Sequence, residues 1–423
     1  MLSAKNIAVI GTGSSAKSFV ESFGANKKLC FYNSQGEGEF IGQQVRHLAT
    51  LQKDHYDIVV VAVYDYAELT EQLDKLTDAP LYWFNAVSHE LTQLSDLYGD
   101  NNDHFIAKAD VLTVVYDFRV APPTYDLLNF LVRCKLEANQ QNAQSLEVIF
   151  CPGDKQGFRK DIDFFSVEEM NFRIVNLLLP LVKLVDPNAS IFLAHSRREA
   201  RERFESAPKR FPSKHDFLRP QPRHFFYELF EFMGDKQSHM ILNASAFYRE
   251  KVNQWSSSRG LNFTQTVVIT LRESSAHNAR NSDLKLWRNI ADRLLTSGLD
   301  VVIVRDTETA LLPLSWEGIY EFPEAALNVH MRLALYEQVR FNVAVSNGSQ
   351  ALMSLSKSCK YLLFGMHNTT CTSNTAEHLK KIGMIYGNSQ RLGAVDGQYL
   401  CWDEVTEVNV WNAITRLMTE KKL

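Results

Sequence analysis

Between Val267 and Met353 the chain repeats one pattern three times, a short apolar run followed by a polar loop. The runs are Val267-Val268-Ile269-Thr270-Leu271, Val301-Val302-Ile303-Val304 and Phe341-Asn342-Val343-Ala344-Val345. Each is continuous rather than alternating and rich in β-branched residues, which suits a parallel strand covered on both faces. The pattern therefore points to an α/β layer structure. In such open sheets ligands bind beyond the carboxyl ends of the strands. The loops that follow, beginning at Arg272, Arg305 and Ser346, are expected to line one cleft.

Their chemistry suits an anion. Arg272 offers a fixed positive fork matched to phosphate. Asp306-Thr307-Glu308 can accept hydrogen bonds from sugar or base hydroxyls. Ser346-Asn347-Gly348-Ser349 leads into a helix start at Gln350, where small residues let backbone N–H groups approach a phosphate. Any one of these loops could be a plain polar cap on an ordinary α/β domain. Three in succession favour a nucleotide-type ligand.

Strand-Leu-Arg-Glu, strand-Arg-Asp-Thr-Glu and Val-Ser-Asn-Gly-Ser, in this order, resemble the donor half of a GT-B glycosyltransferase. The closest likeness is to the fucosyltransferase-like superfamily, which includes the protein O-fucosyltransferases, the core fucosyltransferases and the rhizobial nodulation fucosyltransferases. The resemblance implies that Arg272, with Glu273 beside it, grips the donor diphosphate. Asp306 and Thr307 would contact the nucleoside, and Ser346, Asn347, Gly348, Ser349 and Gln350 the phosphates or sugar. The family's His or Arg next to its essential Arg is replaced here by Leu271 and Glu273.

A second stretch carries the same likeness. Val111-Leu112-Thr113-Val114-Val115 reads as a strand and runs into Tyr116-Asp117-Phe118-Arg119-Val120-Ala121-Pro122-Pro123. This resembles the Tyr-Asp-x-x-Pro-Pro loop that opens the acceptor half of protein O-fucosyltransferases. In that family a Glu just after the prolines can act as catalytic base, but here the position is Thr124. Inverting transfer needs a carboxylate near the acceptor hydroxyl to take its proton. Asp126 is the first candidate and Asp117 the second. Asp126 also suits a helix N-cap, and Asp117 a loop hydrogen bond. Arg119 and Arg159 are candidates for an acceptor or a donor phosphate. Asp161-Ile162-Asp163 is formally a metal-type Asp-x-Asp, but it follows no strong strand, and no metal or other cofactor is expected.

Residues 1–105 read as a small Rossmann-like domain. Gly11-Thr12-Gly13-Ser14-Ser15-Ala16 is a strand-to-helix turn of dinucleotide type, with Gly11, Gly13 and Ser14 as a possible nucleotide turn. The acidic residue expected about 20 positions on is missing, since the second strand ends at Asn33. A turn that only packs helix on strand fits as well.

The chain has 423 residues, 45% of them apolar and 22% charged, with a net charge of −4. That composition is globular and carries no general attraction for nucleic acid. Six scattered cysteines form no Cys-x-x-Cys pair, which excludes zinc-finger spacing and fits reduced thiols in a cytoplasmic setting. No signal peptide and no spanning segment are expected, so membrane contact would be peripheral at most. Residues 196–224 are rich in Arg and Lys and read as an exposed helix followed by a loop. Pro180 is expected to end or kink the helix that begins near Phe172. The last helix, near Val408 to Met418, is expected to fold back on the acceptor half.

The expected architecture is α/β: a Rossmann-like domain (1–105), then a GT-B acceptor half (106–264) and donor half (265–423). The partners would be a nucleoside diphosphate sugar, with a GDP-sugar favoured, and a glycan, lipid-linked or protein acceptor. The reaction would be inverting and metal-independent. Two alternatives stand: an NAD(P)-linked oxidoreductase using the Gly11 turn, and a non-catalytic module that binds sugar nucleotides or a partner.

Overall fold

A computed structural model describes residues 4–419 apart from 64–68, 70–71, 74, 87, 95–109, 161–164, 223–227, 230–238, 276–277, 368–373, 382–383 and 392. Asp161-Ile162-Asp163 lies outside the described residues. The chain divides into two compact units, Met1–Ala107 and Lys108–Leu423.

The first unit is built on strands β1 (Asn6–Ile10), β2 (Lys28–Asn33), β3 (Arg46–His47), β4 (Ile58–Val61), β5 (Leu81–Asn85) and β6 (Glu90–Gln93), ordered β3-β2-β1-β4-β5-β6. All pair in parallel except β6, which runs antiparallel to β5. The order places a switch point between β1 and β4, beside the turn at Gly11. Gly11 has φ +117°, and a Cβ there would lie 2.8 Å from the Ala62 carbonyl oxygen, so close packing alone requires glycine.

The second unit holds two parallel sheets. The smaller comprises β7 (Val111–Asp117), β8 (Ser145–Cys151), β9 (Ser190–Leu193) and β10 (Arg210–Phe211), ordered β9-β8-β7-β10. The larger comprises β11 (Thr266–Thr270), β12 (Asp300–Val304), β13 (Tyr320–Glu321), β14 (Phe341–Val345), β15 (Tyr361–Phe364) and β16 (Gln398–Leu400), ordered β13-β12-β11-β14-β15-β16. The three apolar runs that open the sequence argument are β12 flanking β11 on one side and β14 on the other. Every residue of β11 and β14 is buried, as unbroken apolar strands require. The chain is thus an α/β protein with Rossmann-like parallel sheets.

One apolar cluster runs through both halves of this unit. It joins Leu112, Phe130 and Leu181 of the smaller half to Val268, Leu333 and Leu352 of the larger. The stretch between the halves is not bare linker. Its helix Ala246–Ser257 packs on helix Val329–Gln338, Trp255 stacks on Phe322 at 4.1 Å, and Arg249 pairs with the fully buried Glu337 at 2.7 Å.

Three local expectations change. The helix does not end at Pro180. Val167–Arg173 continues through a π-turn, Ile174–Leu178, into Leu179–Val185, with Pro180 in the first turn of that last segment. The widened turn removes the demand for the proline's missing N–H. The basic stretch is not only helix and loop, because Arg210–Phe211 adds an edge strand beside β7. The last helix, Glu407–Thr419, turns its buried Val410, Ile414 and Leu417 to the donor sheet and to Trp287 rather than to the acceptor half.

Candidate functional site

The cleft between the halves of the second unit encloses about 530 Å³ and is lined by Thr124, Tyr125 and Asp126 on one side and by the three loops that follow β11, β12 and β14 on the other. Six arginines line it (Arg159, Arg173, Arg272, Arg280, Arg332 and Arg391) against three carboxylates, Asp126, Glu169 and Asp306. A cationic cleft in a chain of net charge −4 is a local arrangement and attracts anions into a site of lowered dielectric.

The donor-half loops are tied to one another. Arg272 is 6% exposed. Its backbone N–H donates to Ser282 Oγ at 2.9 Å and its guanidinium to Asn281 Oδ1. Asp306 accepts from the backbone N–H groups of Glu273 at 3.3 Å and Thr307 at 2.8 Å. Thr307 Oγ1 donates to the Ala326 carbonyl at 3.3 Å. Asn347 Oδ1 accepts from Ser349 Oγ at 2.8 Å and from the Gln350 N–H at 3.0 Å, which shapes the turn into helix Gln350–Ser354. Gly348 brings this turn against Tyr125 of the other half.

Two arginines that the motifs did not single out complete the wall. Arg280 donates to the Ser346 carbonyl and hydroxyl at 3.0 and 3.1 Å. Its buried Nε has no partner. Arg332, 4% exposed in helix Val329–Gln338, donates to the Ala325 and Arg305 carbonyls at 2.7 and 3.3 Å. Burial opposes its charge, but Tyr125, Tyr336 and Asp306 around it more than offset that, so its pKa is raised. The one available signal was an Arg set inside the apolar run Met331-Arg332-Leu333-Ala334-Leu335.

On the facing side, Asp126 is the first residue of helix Asp126–Gln140 and not its N-cap, which is Tyr125. Its carboxylate accepts from Thr124 Oγ1 at 2.9 Å. Burial pushes its pKa up, against the Thr124 hydrogen bond and the charge of Arg159. Arg159 lines the same cleft and donates to the Val120 carbonyl at 3.2 Å.

Three expected site residues are elsewhere. Asp117, 3% exposed, is absent from the cleft wall and binds Arg197 through both carboxylate oxygens at 2.7 and 2.6 Å and His215 at 2.9 Å. Burial favours its protonation, but those partners and the Arg119 N–H outweigh it and hold its pKa below the ordinary value. A carboxylate so occupied is a structural anchor. Arg119 pairs with Asp154 at 2.7 Å and binds the Leu218 carbonyl at 2.8 Å. Glu273 turns from the cleft to pair with Arg305 and accept from Thr309 Oγ1 at 2.9 Å. Gly11, Gly13 and Ser14 belong to the first unit, where Gly13 caps helix Ser14–Phe23 without a side-chain bond.

Among the described residues, no three His, Cys, Asp or Glu side chains are grouped to hold a metal ion, and no helix is long and apolar enough to cross a membrane. Among the described residues no disulfide joins Cys30, Cys134, Cys151, Cys359 or Cys401.

No protein family and no curated protein matches the chain by sequence. Among solved structures it is similar to a family 9 glycosyl transferase from Veillonella parvula, at 13% identity and TM-score 0.41, over 74% of this chain and 99% of that one. It is similar to the E. coli ADP-heptose LPS heptosyltransferase II at 9% identity and TM-score 0.31, over 99% and 100% of the two chains. It is also similar to the Methanocaldococcus jannaschii UDP-GlcNAc 2-epimerase at 11% identity and TM-score 0.30, over 74% and 94%. With every score below 0.5, the architecture rests on the chain's own strand order: two parallel sheets, one shared core and a cationic cleft between them.

Proposed function

We propose that residues 108–423 form a GT-B glycosyltransferase of fucosyltransferase-like type, acting on a nucleoside diphosphate sugar, with a GDP-sugar favoured, and a glycan, lipid-linked or protein acceptor. The observation that carries the reading is the set of arginines around Arg272, facing Asp126 across one cleft. Arg272 and Arg280 would neutralise the diphosphate as it leaves, which is the larger electrostatic demand of such a transfer. The backbone of Ser346–Gln350 would hold the phosphates or sugar, and Asp306 with Thr307 the nucleoside. Asp126 would take the acceptor proton as the sugar carbon is attacked, giving inversion without a metal. Burial raises its pKa, which makes its carboxylate a stronger base than an ordinary one, and it would stand in for the Glu that Thr124 replaces.

The test is a binding panel of GDP, UDP, ADP, dTDP, CMP and NADH, read by melting temperature and repeated on Arg272→Ala. A ligand bound only by the folded state raises the melting temperature. The expected result is a rise with one nucleoside diphosphate that Arg272→Ala loses. A rise with NADH alone, or with none of the panel, would overturn the reading.

A further inference from the structure

The lining of the same cleft includes an apolar chamber-like part formed by Leu363, Met366, Leu379, Met384 and Leu400. Leu363 and Tyr361 point to the same face of β15, and Tyr361 lies about 10 Å back from the carboxyl end of that strand at ~3.3 Å per residue. Arg391 stands beside it in the chamber lining.

Neither polar group is satisfied. The Tyr361 hydroxyl and Arg391 Nε are both shielded from solvent and make no hydrogen bond. Tyr361 is 1% exposed. Burial pushes its pKa up to about 12. Burial lowers the pKa of Arg391, and Tyr361 is the only group that acts against that. His239, 2% exposed, adds a third buried atom without a partner, its Nε2. Burial first, then the charges of Arg391 and Lys357, push the imidazole down to about 4, so it is neutral near pH 7. Three other arginines inside the fold do have partners: Arg197 in Asp117, Arg305 in Glu273, and Arg332 in two carbonyls. Arg391 is half-buried, with its Nε shielded and unpartnered and no carboxylate paired to it, so part of its hydration is lost without return. An incoming anion would remove that cost, and the apolar walls would strengthen the pairing by excluding water.

We propose that this chamber binds an anionic group of the sugar substrate, a carboxylate or a phosphate, with Arg391 as its counter-charge and the Tyr361 hydroxyl as a hydrogen-bond donor. The assignment rests on the glycosyltransferase reading above, because it gives the chamber to a substrate of that same cleft. It narrows the substrate to an acidic or phosphorylated sugar.

The test uses the full chain carrying Arg272→Ala and Arg280→Ala, so that neither diphosphate arginine binds the probe. Inorganic phosphate and glucuronate are titrated calorimetrically into this protein and into the same protein with Arg391→Met or Tyr361→Phe. One probe should bind the parent. Its affinity should fall about tenfold or more with Arg391→Met, as expected for a hydrogen bond to a charged group, and by less with Tyr361→Phe. Preference for glucuronate would identify a carboxylate sugar, and preference for phosphate a phosphosugar. Without any anion, Arg391→Met should melt higher than its parent. The proposal is overturned when neither probe binds the parent, when binding survives both substitutions unchanged, or when Arg391→Met melts lower without ligand. Tyr361→Phe, which removes one oxygen, keeps the test decisive where Arg391→Met does not fold. Nucleoside diphosphate binding to the native chain, and its loss in Arg272→Ala alone, reports on the earlier reading independently of Arg391.

Discussion

Gly348 of the larger-sheet half and Tyr125 of the smaller-sheet half meet so closely that a Cβ on Gly348 would lie 3.0 Å from Tyr125 Cδ2. The requirement is for space and not for an unusual backbone. Gly348→Ala should therefore cost about 1–3 kcal/mol through overpacking and weaken nucleotide binding by moving the adjacent Ser346–Gln350 turn. Both effects should shrink in a Tyr125→Ala background, where the ring is gone. A double-mutant cycle by chemical denaturation checks this, since only residues in contact give a coupling energy.

Asp126→Asn should keep nucleoside diphosphate affinity and lose transfer by about 10²–10⁴-fold, the range for a positioned general base. Rate and binding are to be measured on the same preparation. Equal losses in both would make Asp126 a binding residue instead.

The same substitution has a pH signature. Burial raises the pKa of Asp126 in the folded chain, so the folded state holds its proton more tightly than the unfolded one. Native stability then falls as pH rises from the ordinary carboxylate value through the raised one. Asp126→Asn removes that term. Its stability relative to the native chain should grow with pH over this window and be flat above it, as read by denaturation at a series of pH values.

Asp117 has the opposite sign. Its partners lower its pKa, so its contribution is present above the unfolded pKa and is lost as pH falls through the folded one. Asp117→Ala would leave Arg197 and His215 facing each other in a buried site. It should cost about 3–5 kcal/mol, with nucleotide binding by the remaining folded protein unchanged.

Much of the architecture was legible because buried parallel strands leave a direct trace. Val267–Thr270, Val301–Val304 and Phe341–Val345 are unbroken apolar runs, and each became a strand of the donor sheet. The placement of charged side chains was less so, because a loop's sequence does not say which way it points. Glu273 and Arg272 are neighbours, yet one pairs with Arg305 and the other lines the cleft. Asp117 sits at the end of a strand, where ligand-binding residues are expected, but Arg197, 80 positions on, takes both its oxygens. Arg332 and Arg391 come from segments that carry no motif, and only the fold brings them to the cleft. The last helix was misassigned because its apolar stripe suits either half equally. Trp287 and the donor sheet lie nearer in the chain and took it.

The apolar cluster common to both halves limits how this protein can be taken apart. Cutting near residue 264 would expose Val268, Leu333 and Leu352 on one piece and Leu112, Phe130 and Leu181 on the other. Neither piece would keep a closed interior, so the halves are not interchangeable modules in the way that domains joined by a free linker are. A graft that replaced residues 108–264 would have to carry the matching packing of residues 265–423 with it.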